Sequence, residues 1–522
     1  MSPTTLHAPT MVPGLRRNMV TICAMTATIM QALDTTIANV ALPYMQGTLS
    51  ASQDQINWVL TSYIVAAAIM TAPVGWVANR FGRKRIFIIC SGGFTIASVL
   101  CGLAQDINQM VLFRLLQGVF GAALVPLSQA VMLDSYTLQE RAKAMSIWGM
   151  GVMMGPIMGP SLGAWLTETY SWHWVFFVNL PFGFITVLGL IVFMDETRKD
   201  LNLKFDWFGF AALAVGIGSL QLALDRGEQL GWLESNEIIA EFIISAIGFY
   251  YFFAHSLTTA RPFVQFSLFK DRNFLTGCVF MAVMGLVLYS TMALASPYLQ
   301  NVIGYPIITA GLLLAGRGCG TFVAMMLVGR LMRYIEARTL IIAGLSLTAL
   351  SLFYMTGWTD QTGVPEIITL SIIQGFGFGL VFVPLSTVAF MTLPNHLRTD
   401  GTSMLTLMRN VASSIGISIV IAQLTEGSRR VYAILNDHVN PFNHAMQMPD
   451  VSSMINMGTD RGRAMMDVMI GLQAQIIAFS QDYQLIMIFI LASIPLALMI
   501  GSTKAALRAQ AAGPDDHVAV ME

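Results

Sequence analysis

Charge is scarce in this chain. Of its 522 residues only 11% are Asp, Glu, Lys or Arg, while 55% are hydrophobic. A water-soluble domain carries about a quarter charged residues, because its surface must be solvated. So little charge excludes a soluble fold of this length and points to a bilayer as the solvent. Net charge is lacking as well, at −1, so no nucleic-acid partner is expected. Cysteine is sparse and scattered. Cys23, Cys90, Cys101, Cys278 and Cys319 all fall in apolar stretches and form no CxxC pair. That spacing suggests neither a disulfide framework nor a metal site, and packed core residues are the expectation. A nucleotide-binding loop is missing too, since QGFGFG at 374–379 lies inside an apolar run rather than between a strand and a helix. With no metal-ligand cluster and no nucleophile–base constellation, an enzyme is disfavoured. No cofactor is expected, and the proton gradient is the default energy source.

What the chain has instead is a series of long apolar runs. A helix needs about 20 apolar residues to cross a bilayer. The runs predict an all-α integral membrane protein with spans at 18–44, 55–77, 86–104, 110–134, 142–165, 173–194, 207–225, 237–258, 274–298, 308–332, 338–358, 364–393, 399–423 and 483–503, fourteen in all. The first run follows Arg16 and Arg17 but is too long for a signal peptide and ends in no cleavage site, so it reads as an uncleaved span. With the N-terminus inside, most of the 28 lysines and arginines fall in inner segments. Basic residues collect on the cytoplasmic side, which puts both termini in the cytoplasm. The long outer segment 424–482 is polar and rich in Met and Gln, with NPFN at 440–443. It reads as partly helical or as a docking element.

The chain repeats itself. LFRLLQGVFGAALVPLS at 112–128 aligns with LSIIQGFGFGLVFVPLS at 370–386 through paired Gln-Gly and Pro-Leu-Ser landmarks. The preceding spans align as well, opening at Arg85 and Arg338. The repeat sets an N-terminal six-helix bundle (18–194) against a C-terminal one (274–503). Two inserted spans lie in the linker 195–273, and tails lie at 1–17 and 504–522. Two such halves with a substrate site at their interface form a transporter architecture that rocks between two openings.

Several residues within the spans carry chemistry. Asp34 lies mid-span in LDTTIANVALP, 33–43. A carboxyl there costs roughly 3 kcal/mol to insert, so it tends to face the bundle interior and to be functional. Arg114, in the fourth span, is the candidate cation beside it. Burial and a nearby cation pull a carboxyl's pKa in opposite directions, which suits a proton carrier. The loop GWVANRFGRKR, 75–85, offers Gly75 and Gly82 for a tight turn and Arg80, Arg83, Lys84 and Arg85 for headgroups, helix ends or acids. Asp134 is a candidate partner for this cluster. In the fifth span Gly151, Gly155, Gly159 and Gly163 recur every four residues, a smooth face for close helix approach. Pro156 and Pro160 should kink or loosen that helix.

These motifs, in this order, resemble the major facilitator superfamily, and within it the fourteen-span drug:proton antiporters of the QacA/EmrB type. The loop 75–85 is similar to the superfamily's signature between spans two and three. Leu112–Gly121 resembles the fourth-span motif with its functional arginine, here Arg114. Gly151–Gly163 resembles the antiporter motif, and Leu33–Pro43 the first-span motif with its acid, here Asp34. The resemblance implies proton-driven efflux of drugs from an inner membrane, with a periplasmic membrane-fusion adaptor and an outer-membrane channel as partners. One position departs: the loop motif normally has an acid where this chain has Asn79. That acid is thought to help hold the halves together, so the latch is expected to be weaker here or carried by Asp134.

The spans hold one central acid, Asp34, against Arg114, Arg317 and Arg409, with no acid deep in the second half. A cavity biased positive would compensate a dication poorly and suits neutral or weakly acidic amphipathic compounds. Candidate cavity residues are Gln31, Asn39, Tyr63, Gln117, Trp148, Tyr289, Gln374 and Arg409. Arg317 is expected to snorkel or to bind a backbone carbonyl. The alternatives are a proton-coupled importer or uniporter of one metabolite, or a non-transporting membrane sensor. Asp34 and Arg114 within the bilayer argue against the sensor, which has no need of them.

Overall fold

A computed structural model of the chain describes residues 14–499 apart from 138, 198, 260–261, 395–396 and 440–457. The tail 504–522 and the NPFN segment therefore lie outside the described residues. The fold is all-helical, with no strand among the described residues.

The N-terminal half runs from α1 (Leu15–Thr48) through α2 (Gln53–Thr71), α3 (Val74–Phe81), α4 (Arg83–Gly102), α5 (Ile107–Gly121), α6 (Leu124–Ser135), α7 (Arg141–Thr169) and α8 (Trp174–Phe177) to α9 (Asn179–Phe193). Two inserted helices follow, α10 (Trp207–Leu230) and α11 (Asn236–Thr258). The second half comprises α12 (Arg272–Pro297), α13 (Ile307–Leu331), α14 (Ala337–Met355), α15 (Val364–Val388), α16 (Arg398–Asp437) and α17 (Asp460–Ser493). Local chemistry sets several starts. Ser52 and Gln55 form a capping box on α2, and Asp106, Asp271 and Thr459 cap α5, α12 and α17. Each cap satisfies backbone N–H groups that the helix leaves unpaired.

The second predicted span is broken. Pro73 separates α2 from α3, which bend by 56°, because proline removes a helical donor and crowds the preceding turn. Gly75 accordingly lies inside α3 and makes no turn, whereas Gly82 does, at φ +97°. Twelve described helices are long and apolar enough to cross a membrane, or thirteen if the bent pair is one span. The predicted fifth span is the 29-residue α7, unbroken through Pro156 and Pro160, and it is not among those twelve.

The C-terminal end differs more from expectation. α16 is one helix of 40 residues and α17 one of 34. At 1.5 Å per residue α16 is about 60 Å long, twice the thickness of a bilayer core. Both helices thus continue into the segment read as an outer connection, and the Tyr432 hydroxyl bonds the Asp467 carboxylate between them. Periodicity ended the spans at 423 and began them at 483 because polar residues thin the apolar run, but the helices themselves do not stop there.

The inserted pair packs through glycine, with Gly216 and Gly248 in close backbone approach. α10 reaches both halves: Asp225 accepts from Thr61 of α2, while Gln221 donates to Ser414 at 2.8 Å and the Leu224 carbonyl accepts from Ser418 at 2.7 Å, both on α16. Outward faces of α9 and α11 expose Phe184, Ile185, Leu188, Ile243, Ile247 and Tyr250, a surface that belongs in lipid. Of the cysteines, Cys23, Cys101 and Cys278 are buried, but Cys319 is exposed on α13, which corrects the core expectation at that position.

Candidate functional site

The N-terminal half closes around Asp34. Its carboxylate accepts from Arg114 Nη1 at 2.7 Å, Gln117 Nε2 at 2.8 Å and Asn179 Nδ2 at 3.1 Å. All four residues are 0% exposed. Arg114 and Gln117 are three apart on α5 and so share a face, and Arg114 Nη1 also donates to Gln117 Oε1 at 2.8 Å. The guanidinium is further held by the Val59 carbonyl at 3.0 Å and lies 4.4 Å from the Tyr63 ring. Gln31 donates to the Tyr63 hydroxyl at 3.3 Å. An ion pair with this many satisfied lone pairs and protons tolerates a low dielectric. Sequence reading missed Asn179; the signal was a lone amide near the start of an apolar span, where polar groups are costly unless used.

The glycine face of α7 lies against the helix that carries Asp34. A methyl on Gly155 would overlap the Ala32 backbone, one on Gly159 the Thr36 hydroxyl, and one on Gly163 Ile37. Thr36 Oγ1 donates to the Gly155 carbonyl at 3.0 Å. Gly151 is different, with nothing closer than 3.6 Å. Pro160 reaches the other half, near Gly311 of α13.

A second polar cluster joins the two halves at the end that carries loop 75–85. Asp134 accepts from Arg83 of its own half and from Arg398 of the other at 2.7 Å. Arg83 also donates to Thr399 at 2.8 Å. Asn79 donates to Asp400 at 3.3 Å, and Gly75 packs so tightly on Asp400 that a Cβ would overlap its carboxylate. An acid is thus present at this contact, on the opposite side of the interface from Asn79. The other loop residues have local roles. Arg80 donates to the Leu203 carbonyl, Lys84 to that of Ile191 at 2.8 Å, and Arg85 is exposed.

Between the halves lies a cavity lined by Val152, Met153, Met284, Leu288, Tyr289, Phe378, Phe382 and Arg409. Its volume, ≈ 20 Å³, holds about one water, so the halves are closed on it. Trp148 stacks beside it on Phe382 and donates to Ser128 at 2.9 Å. Of the eight candidate cavity residues, Tyr289 and Arg409 line it and Trp148 adjoins it. Gln31, Tyr63 and Gln117 belong to the Asp34 cluster, and Asn39 is exposed. Gln374 is fully buried, and neither amide atom has a hydrogen-bond partner.

Two expectations about the second half are overturned. Asp482 is an acid buried within α17, 0% exposed, with no partner for either oxygen. An apolar run that begins at 483 leaves it just outside the last predicted span. Arg317 neither snorkels nor bonds a carbonyl; it donates to the Thr291 hydroxyl at 3.2 Å.

Residues 24–417 match the Major Facilitator Superfamily. The chain is 36% identical over 434 residues to the multidrug export protein EmrB of Escherichia coli K12, an alignment covering 82% of this chain and 84% of that one. It is 33% identical over 426 residues to the fatty acid resistance protein FarB of Neisseria gonorrhoeae, covering 81% and 84%. The crystal structure of the human organic anion transporter MFSD10 shares the fold, with a TM-score of 0.57 over 91% of this chain and 99% of that one, at 13% identity.

Proposed function

The chain belongs to the Major Facilitator Superfamily, and from that premise we propose that it is a multi-pass inner-membrane transporter that exports drugs by proton antiport. The observation that carries this reading is the buried Asp34–Arg114 pair, joined to Gln117 and Asn179 and packed against the glycine face of α7. Its relatives' names, multidrug export and fatty acid resistance, support small amphipathic substrates. The positive bias of the inter-half cavity, with Arg409 in its wall, favours neutral or weakly acidic ones.

The proton step uses groups already in place. Deprotonated Asp34 pairs with Arg114. A proton from outside neutralises Asp34 and leaves Arg114 without its counter-charge, so α1 and α5 lose what binds them. Because α7 grips α1 around Asp34, that loosening reaches the interface with α13. The bridge Arg83–Asp134–Arg398 would close the cytoplasmic end and would have to open before Asp34 can release its proton inside. A periplasmic adaptor and an outer-membrane channel complete the proposed route, with the projecting parts of α16 and α17 as the adaptor's landing surface.

The test is proton flux in proteoliposomes on adding drug, comparing the native chain with Asp34→Asn. Drug-driven proton movement in the native protein alone supports antiport through Asp34. Equal drug movement in both, without protons, would mean a uniporter or coupling elsewhere.

A further inference from the structure

Arg317 lies in α13 at 7% exposure. A guanidinium stays charged, and a charge inside a membrane bundle is costly unless paired. Arg114 is paired in full; Arg317 is not. Its one hydrogen bond goes to the Thr291 hydroxyl, and its Nε has no acceptor. Among the described residues no carboxylate lies within ion-pair distance of it. Asp482 is no counter-ion, since neither of its oxygens accepts a bond from any group.

Buried polar groups on the neighbouring helices are unsatisfied too. Gln374 on α15 is 0% exposed with both amide atoms unpartnered. α15 is pressed onto α13 here: a Cβ on Gly375 would overlap the Arg317 carbonyl, and Thr321 Oγ1 donates to the Gly375 carbonyl at 2.9 Å. The Tyr483 hydroxyl of α17 is close enough to feel the Arg317 charge and also has no partner. Buried polar groups are nearly always hydrogen-bonded, so each of these calls for a partner. Their donors match one chemistry. A guanidinium fork, an amide N–H and a phenol O–H are all donors to an anion, most strongly to a carboxylate. The position fits as well. Thr291 and Gln374 lie one helical turn from Leu288 and Phe378, which line the inter-half cavity.

We propose that Arg317, Gln374 and Tyr483 form a subsite for the acid group of an amphipathic carboxylate, whose apolar body lies among Leu288, Phe378 and Phe382. This rests on the efflux reading and names the substrate class of its cavity. The carboxylate supplies the counter-charge that the bundle lacks, so the site is expected to discriminate an acid from its neutral isostere.

The experiment measures binding of 2-naphthoate and 2-naphthamide to the full-length protein in nanodiscs, alongside export of both from proteoliposomes. A charged hydrogen bond contributes about 1.5–3 kcal/mol, so Arg317→Gln should weaken naphthoate binding by roughly 10–100-fold. Naphthamide should change less than about twofold, and Arg317→Lys should retain part of the naphthoate affinity. The melting temperature of Arg317→Gln should hold or rise, because the change removes a buried cation that has no counter-charge. Equal loss of both probes together with a lower melting temperature would make Arg317 a structural residue and overturn the proposal. So would naphthoate affinity that is indifferent to Arg317. Arg317-dependent naphthoate binding without export of either probe would leave the subsite standing and refute the efflux reading; export without that dependence would do the reverse.

Discussion

Asp34 accepts from three donors on two other helices, and each donor should matter differently. Arg114→Ala would strand a buried carboxylate, at a cost of about 3–5 kcal/mol. Changing Asp34 and Arg114 together to apolar residues should recover most of that stability and none of the proton coupling. Thermal unfolding and proton flux on the same preparations separate the two effects. Asn179→Ala removes one of the three bonds and should cost about 1–3 kcal/mol. At the other cluster, Asn79→Asp would set a second carboxylate where the Asn79 amide now donates to Asp400. The like charges should part the halves there, read as faster labelling of a cysteine placed at Val152 from the loop side. Adding Asp400→Asn to that variant should restore slow labelling.

Among elements, α7 and α1 are matched by glycine spacing. Gly155→Ala and Gly159→Ala each meet α1 atoms with no room to give, while a methyl on Gly151 meets nothing closer than 3.6 Å. Overpacking costs about 1–3 kcal/mol. The first two variants should therefore lose stability and transport, and Gly151→Ala should keep both, as thermal unfolding and drug efflux would reveal. The projecting ends of α16 and α17 present Ile434, Met465 and Val468, each half-exposed or more. If an adaptor docks there, Ile434→Lys with Val468→Lys should abolish its co-purification while leaving drug-driven proton flux in proteoliposomes intact.

For the whole molecule, the two halves meet through a few polar contacts at the loop end and through α7 against α13 along the bundle. Asp134 is the hub, because one carboxylate holds Arg83 from its own half and Arg398 from the other. Asp134→Asn should weaken both bonds, open the cavity towards the loop end and speed labelling at Val152. Arg398→Ala should do the same with the Arg83 bond kept, which would assign the effect to the contact between halves. The inserted helices tie the halves together again at one flank, through Gln221 to Ser414 and Leu224 to Ser418.

Much of this was legible in the sequence, for physical reasons. Apolar runs and the distribution of basic residues determine a helical membrane fold, since a bilayer admits little else, and a carboxylate inside such a run announces itself by its cost. Asp34, Arg114 and the glycine face of α7 could thus be named from spacing alone. What needed tertiary structure were the partners, because contacts across helices are not written in local periodicity. Nothing in the sequence around Asn179 ties it to Asp34. Asp400 could be seen at a span end, but that it faces Asn79 from the opposite half follows only from how α3 meets α16. Asp482 went unread because a polar stretch hid the start of α17. Arg317 was visible as a cation with no motif; that it has no counter-charge is a property of the packing, since only the folded bundle decides which charges meet.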